Sequence, residues 1–174
     1  MTWVAAKSTR SILVTLAVVC IGLATAWSSR VTAQGVIMQR NLSLALAKAI
    51  AEASLAECKS KGFNTSVVVL DRAGQVLVTL RDERASAQTA EMARRKAYTA
   101  LMFRTTTIEF QKRTANDSPL AAQRNVADIL ALGGGAPIQV GTETIGGVGS
   151  SGSSQEQDDA CAKAGIAKAA DLLK

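Results

Sequence analysis

Residues 147–152 read Gly-Val-Gly-Ser-Ser-Gly, GVGSSG, between an apolar run from Thr144 to Val148 and a helix-like segment that starts near Ser154. The spelling G-x-G-x-x-G between a strand and a helix is the fingerprint that holds a dinucleotide pyrophosphate, and it would make the fold a parallel Rossmann sheet. Such a unit needs a second parallel strand after the helix, with an acidic residue about 20 positions on to hold the ribose. Only 22 residues follow Gly152, and Asp171, at the right offset, falls at the end of the last helical segment with no strand behind it. No lysine follows the glycines in the Walker pattern either. The dinucleotide reading fails. Two others survive: glycines that let a strand pass closely beneath a helix, or backbone amides at a helix start that suit a carboxylate or phosphate.

The sequence on either side of that stretch predicts hairpins instead of crossovers. Pro137-Ile138-Gln139-Val140 and Thr144–Val148 flank a turn at Gly141-Thr142-Glu143, and Ile129–Leu132 reads as a further strand ahead of Gly133-Gly134-Gly135. Ser154-Gln155-Glu156-Gln157 predicts a capping box, serine and glutamine satisfying each other's backbone amides, for a final helix through Cys161 and Ala164 to Leu172. Earlier, residues 43 to 61 predict a helix capped by Ser43 and ended by Gly62, with Leu46, Ala49, Ile50, Ala53 and Ala56 toward a core. Thr65–Leu70, the turn Asp71–Gly74 and Gln75–Arg81 predict another hairpin, and the unbroken apolar run Val67–Leu70 indicates a strand covered on both faces. A helix over about 87–104 and a shorter one over 107–113 follow; residues 114–127 read as loop with one helical turn. The order α-β-β-α-α-β-β-β-α predicts a mixed α/β domain, its five-stranded sheet mainly antiparallel with helices on both faces.

Residues 1–33 read as a cleaved export signal. Lys7 and Arg10 supply a positive start, Ile12–Ala26 is apolar but short for a membrane span, and Val31-Thr32-Ala33 offers small residues for cleavage. The alternative is an uncleaved N-terminal anchor. Cleavage after Ala33 leaves 141 residues, residues 34–174, as a single domain in the periplasm or outside the cell, with no stable membrane insertion. The whole chain has a net charge of +6, but the signal holds three basic residues and no acidic one. The remaining 17 basic and 14 acidic residues give +3. The basic residues are scattered and both tryptophans lie in the signal, so nucleic-acid binding by stacking and phosphate contacts is unsupported. Two cysteines remain, Cys58 and Cys161; in an oxidising compartment they can pair across the first and last helices, or both stay as buried free thiols. The chain contains no histidine, which excludes Ser-His and Cys-His catalysis and any histidine-ligated metal or haem.

On the 87–104 helix, Lys96 and Arg104 could meet an anionic ligand, and Met92, Tyr98 or Met102 could ligate a haem iron; a core methionine and a solvated lysine are the plainer readings. Asp71, Asp82 and Glu83 read as turn and surface residues. Asp158 and Asp159 sit in the first turn of the last helix, where its dipole favours them without a catalytic role.

Three blocks carry a family likeness: LSLALAKAIAEASLAECKSKGFNTSVVVLDRAGQVLV, KAYTALMFRTTT and GGGAPIQVGTETIGGVGSSGSSQEQDDACAKAGI. Over residues 41 to 173 the chain resembles the GlcG/HbpS-like proteins, the haem-binding or haem-degrading domain family. The resemblance implies a profilin-like fold, assembly into homo-oligomers, and packing of the first helix on the last that brings Cys58 near Cys161. It implies haem or a related tetrapyrrole as cofactor, held without histidine by a methionine, a tyrosine or an apolar pocket, or else a small anionic ligand. Positions matching the family blocks, and expected to line the pocket, are Lys96, Thr99, Arg104, Gly134, Gly135, Gly149, Ser150, Ser151 and Gly152. The expected function is non-catalytic ligand binding. An enzyme acting on a small organic acid, with Lys96 or Arg104 orienting its carboxylate, is the alternative from another class, and an accessory oligomer is the third.

Overall fold

Four strands carry the sheet in the computed structural model, which describes residues 35–173. The elements in chain order are α1 (Leu44–Ser60), β1 (Ser66–Asp71), β2 (Val76–Arg81), α2 (Thr89–Phe103), α3 (Thr107–Arg113), a 3-10 turn (Ala121–Asn125), β3 (Gly135–Val140), β4 (Glu143–Ser151), α4 (Gln155–Lys168) and a last 3-10 turn (Ala170–Leu172). The sheet order is β2-β1-β4-β3, and every neighbouring pair is antiparallel. The compact unit they form begins at Gln39. The expected export signal lies outside the described residues.

Side-chain alternation along the two central strands divides the core. Val67 and Val69 of β1 and Val148 of β4 pack with Ala47, Ile50 and Ala51 of α1 and Ala162 of α4. Val68 and Leu70 point the other way, to Ala93, Ala97 and Leu101 of α2. The run of Val67 to Leu70 is buried on both faces, as a strand between two helical layers must be. α1 turns a different line inward than its alanine spacing suggests. Ala47, Ile50, Ala51, Ser54 and Cys58 are buried, whereas Ala56 is exposed and Ala49 and Ala53 are half-buried.

The five-strand expectation is corrected by residues 129–132, which run without strand pairing among the described residues. Their backbone groups are taken by helix side chains and by local turns instead of a neighbouring strand. Arg95 donates to the Ile129 carbonyl at 2.7 Å, and the Leu130 N–H donates to Thr99 Oγ1 at 2.8 Å. A segment whose polar groups are satisfied in this way gains nothing from joining a sheet. At the start of α4 the Gln157 N–H does donate to Ser154 Oγ at 3.2 Å, but the Gln157 amide turns to Cys161 Sγ at 3.4 Å, so only half of the capping box forms.

GVGSSG is strand. Gly147 to Ser151 form the end of β4, paired to β1 on one side, and only Gly152 lies beyond it. Gly147 and Gly149 face α2. A Cβ on Gly149 would come within 2.8 Å of the Ala97 nitrogen and closer still to the Ala93 carbonyl oxygen, so the helix rests on the bare strand backbone.

Candidate functional site

Lys96 sits in the middle of α2 on the face that packs against β4, and 1% of its side chain is exposed. Its Nζ donates to Asp158 Oδ2 at 2.7 Å and to the Ser150 carbonyl at 3.0 Å. Asp158 belongs to the first turn of α4 and is also buried. Its second oxygen accepts from the Ser153 N–H at 3.1 Å and from the Ser153 hydroxyl at 2.7 Å. Burial pushes the Lys96 ammonium below its ordinary range, and the facing Asp158 carboxylate pulls in the opposite direction.

Gly134 and Gly135 make the room for this pair. Gly134 has φ +122°, and a Cβ there would lie 2.5 Å from the Ser150 carbonyl oxygen, 2.7 Å from Asp158 Cβ and 2.9 Å from Lys96 Nζ. A Cβ on Gly135 would lie 2.7 Å from both the Lys96 carbonyl carbon and Thr107 Cγ2. The Gly134 carbonyl accepts from the Ser150 N–H at 2.8 Å, which ties the loop to the end of β4.

Beside the ion pair lies a cleft of about 250 Å³ between the start of α2 and the start of α4. Thr89, Met92 and Lys96 of α2 line it together with Ser151, Gly152 and Ser153 at the end of β4 and Asp158 of α4. Thr89 is held by a 2.7 Å hydrogen bond to the Ser66 hydroxyl. The lining is hydroxyl-rich, and its one buried cation is already faced by an anion.

The expected site residues divide between this cleft and other roles. Lys96, Ser151 and Gly152 line it, while Gly134 and Gly135 stand behind Lys96. Ser150 turns its hydroxyl to the opposite face of the sheet, 3.7 Å from Cys58 Sγ, and gives only its carbonyl to Lys96. Gly149 is strand backbone beneath α2. Thr99 is fully buried, donates to the Arg95 carbonyl at 2.8 Å and anchors Leu130. Arg104 is not brought to Lys96. It caps α2 in the left-handed region at φ 53° and lines a separate hollow with Arg72, Met102 and Thr144. Asp158, Ser153 and Thr89 escaped the sequence reading. No local signal joins Asp158 to Lys96, because the lysine reads as solvated and the dipole of α4 accounts for the acid.

Cys58 and Cys161 are joined as a disulfide with a Cα–Cα distance of 5.6 Å, tying α1 to α4. Among the described residues no helix is long and apolar enough to cross a membrane.

A family model for haem-degrading, HbpS-like proteins matches residues 42–167. The chain belongs to the HbpS-like family. This HbpS-like domain is 34% identical over 121 residues to the uncharacterised 15.0 kDa protein of the dhaT-dhaS intergenic region of Citrobacter freundii, covering 67% of this chain and 84% of that one. Its fold superposes on a double mutant of the Streptomyces reticuli HbpS with a TM-score of 0.73 and 33% identity, over 80% of this chain and 96% of the other. It also superposes on PduOC in a complex with haem, with a TM-score of 0.68 and 28% identity, over 73% and 94% of the two chains. The matched segment contains the whole of α1, the four strands and the Lys96–Asp158 pair.

Proposed function

We propose that this HbpS-like protein is an exported, homo-oligomeric binding protein that takes a small anionic or polar ligand into the cleft beside Lys96. The observation that carries this reading is the cleft itself. A buried ammonium, the hydroxyls of Thr89, Ser151 and Ser153, and the first turn of α4 converge on a space of about 250 Å³. The unpaired first amides of a helix and its dipole favour an anionic group at that end. The space lies just below the range of roughly 300–1,000 Å³ typical of drug-sized ligands, so it suits a molecule of a few heavy atoms.

Haem does not fit inside this cleft. The macrocycle exceeds its volume, no histidine exists in the chain, both described cysteines are bridged, and Met92 is the one soft side chain on its wall. Haem bound elsewhere is the second reading, favoured by the likeness to PduOC in its haem complex. In the enzyme alternative Lys96 or Arg104 alone would orient the carboxylate, because the two side chains open onto different hollows and do not clamp one group together.

Two titrations of the purified protein separate the readings. Acetate, malonate and pyruvate should raise the melting temperature of the wild type but not of Ser153→Ala. A Soret shift with haem, together with no response to any of the three acids, would replace the small-ligand reading by the haem one.

A further inference from the structure

Five lysines have ion-pair partners among the described residues, and one stands apart. Lys59, Lys61, Lys112 and Lys163 leave 43 to 67% of their side-chain surface in water, whereas Lys96 leaves 1%. A lysine shut away from water is the kind that proteins recruit as an amine nucleophile, because the charged form has lost its hydration. An ammonium has three protons to donate. Two of those on Lys96 go to Asp158 and Ser150, and the third has no partner among the described residues. The open space that Lys96 adjoins is the cleft. Gly134, behind the pair, leaves Nζ the room it occupies, since a Cβ there would reach 2.9 Å from it. Asp158 is fixed against rotation by the two hydrogen bonds from Ser153, so its Oδ2 stays on the amine.

We propose that Lys96 anchors a small carbonyl compound, an aldehyde or 2-oxo acid, in this cleft as a reversible imine. The inference rests on the cleft reading above and gives its ligand a chemical class. Lys96 first passes a proton to Asp158 Oδ2 along the 2.7 Å hydrogen bond. The freed lone pair on Nζ bonds to the carbonyl carbon, the C=O electron pair moves to oxygen, and one of the two protons left on Nζ passes to that oxygen, which becomes the hydroxyl of a neutral carbinolamine. Asp158 returns its proton to that hydroxyl, water leaves, and the nitrogen lone pair closes the C=N bond. The products are one protonated imine and one water. The positive charge of the original ammonium is kept and again faces the Asp158 carboxylate. No electron is gained or lost, and hydrolysis runs the same steps backwards.

The test is reductive trapping on the folded protein. Wild-type protein is incubated with acetaldehyde (neutral) or pyruvate (anionic) and sodium cyanoborohydride, and each lysine is then read by mass spectrometry. Lys96 should carry the reduced adduct at least about tenfold above Lys59 and Lys163, as an activated amine among ordinary ones. Asp158→Asn, with an unchanged circular dichroism spectrum, should slow trapping by about 100-fold if Asp158 moves the protons. Adducts spread evenly over the exposed lysines, or absent from Lys96, overturn the imine. If pyruvate raises the melting temperature yet Lys96 stays unmodified, the imine is wrong and non-covalent binding stands. If neither probe modifies Lys96 or shifts the melting temperature, both readings fall.

Discussion

Replacing Gly149 by alanine tests the packing that everything else depends on. The added methyl would stand within 2.8 Å of the Ala97 nitrogen and 3.0 Å of the Ala93 carbonyl carbon, where real Cβ atoms find no room. Both obstacles are helix backbone, so no side chain can swing aside; α2 must lift from β4. Lifting it opens the contacts of Val68, Leu70, Ala93, Ala97 and Leu101 together. Overpacking of this kind costs about 1–3 kcal/mol, and a backbone-to-backbone clash belongs at the upper end. Against it stands a gain of about 0.4–1 kcal/mol from the reduced freedom of the unfolded chain. The net is a loss of about 2–2.5 kcal/mol, which for a domain of this size lowers the melting temperature by about 8–10 °C. Gly147→Ala should fall between wild type and Gly149→Ala, because its nearest obstacle, the Ala97 carbonyl oxygen, is 2.5 Å away and Leu101 Cβ is 3.1 Å away. Thermal unfolding followed by circular dichroism reads both. A Gly149→Ala protein that melts within about 2 °C of wild type would refute the packing argument. Unchanged melting together with lost ligand binding would instead hand the glycine to the ligand.

Three further perturbations probe the ties around that frame. Replacing Cys58 and Cys161 together by serine opens a link spanning 103 residues and should cost about 2–5 kcal/mol; two free thiols counted on protein purified without reductant would show that the bridge does not form. Lys96→Met leaves Asp158 buried without its cation, a loss of about 3–5 kcal/mol, whereas Lys96→Met with Asp158→Leu should recover most of it. A double variant as unstable as the sum of the singles, by urea unfolding, would sink the pairing argument. Asp82 is held below its ordinary 3.8 by the Arg84 N–H and then by Lys59, whose Nζ lies 3.0 Å away. Because the folded value is the lower one, its contribution is complete above 3.8 and is lost as pH falls through the folded value. Asp82→Asn should therefore flatten the acid limb of stability below 3.8, and a urea midpoint that declines as steeply as in wild type would show that other groups dominate.

What the sequence revealed of the fold were the features set by neighbours along the chain. Ser43 and Ser154 each accept an N–H three residues on, as cap residues should, at 3.2 Å in both cases. The run Val67–Leu70 announced two covered faces before any partner was known. What it could not reveal were features closed by distant residues. Ile129–Leu132 has strand composition, yet Arg95 and Thr99, more than 30 positions earlier, take its backbone groups. Asp158 lies 62 residues from Lys96. The helix dipole explained Asp158 sufficiently by itself, so nothing local called for a lysine, and nothing local marked Lys96 as buried.

The stretch that first suggested a dinucleotide owes its composition to three demands made on one strand. Gly147 and Gly149 face α2 and must be bare for the helix to lie on them. Strand alternation then sends Ser150 to the opposite face, where its hydroxyl meets Cys58 Sγ and a larger side chain would press on the bridge between α1 and α4. Its carbonyl, free of that alternation, reaches Lys96. Ser151, again on the α2 side, comes out at the cleft, and Gly152 ends the strand there. Gly147, Gly149 and Ser150 are thus small for packing reasons, Val148 fills the core on the α1 side, and the cleft opens where β4 ends. A ligand in the proposed cleft would therefore touch, on its β4 side, a strand held by packing, so movement on binding would fall on the segments that line the rest of it, at the starts of α2 and α4.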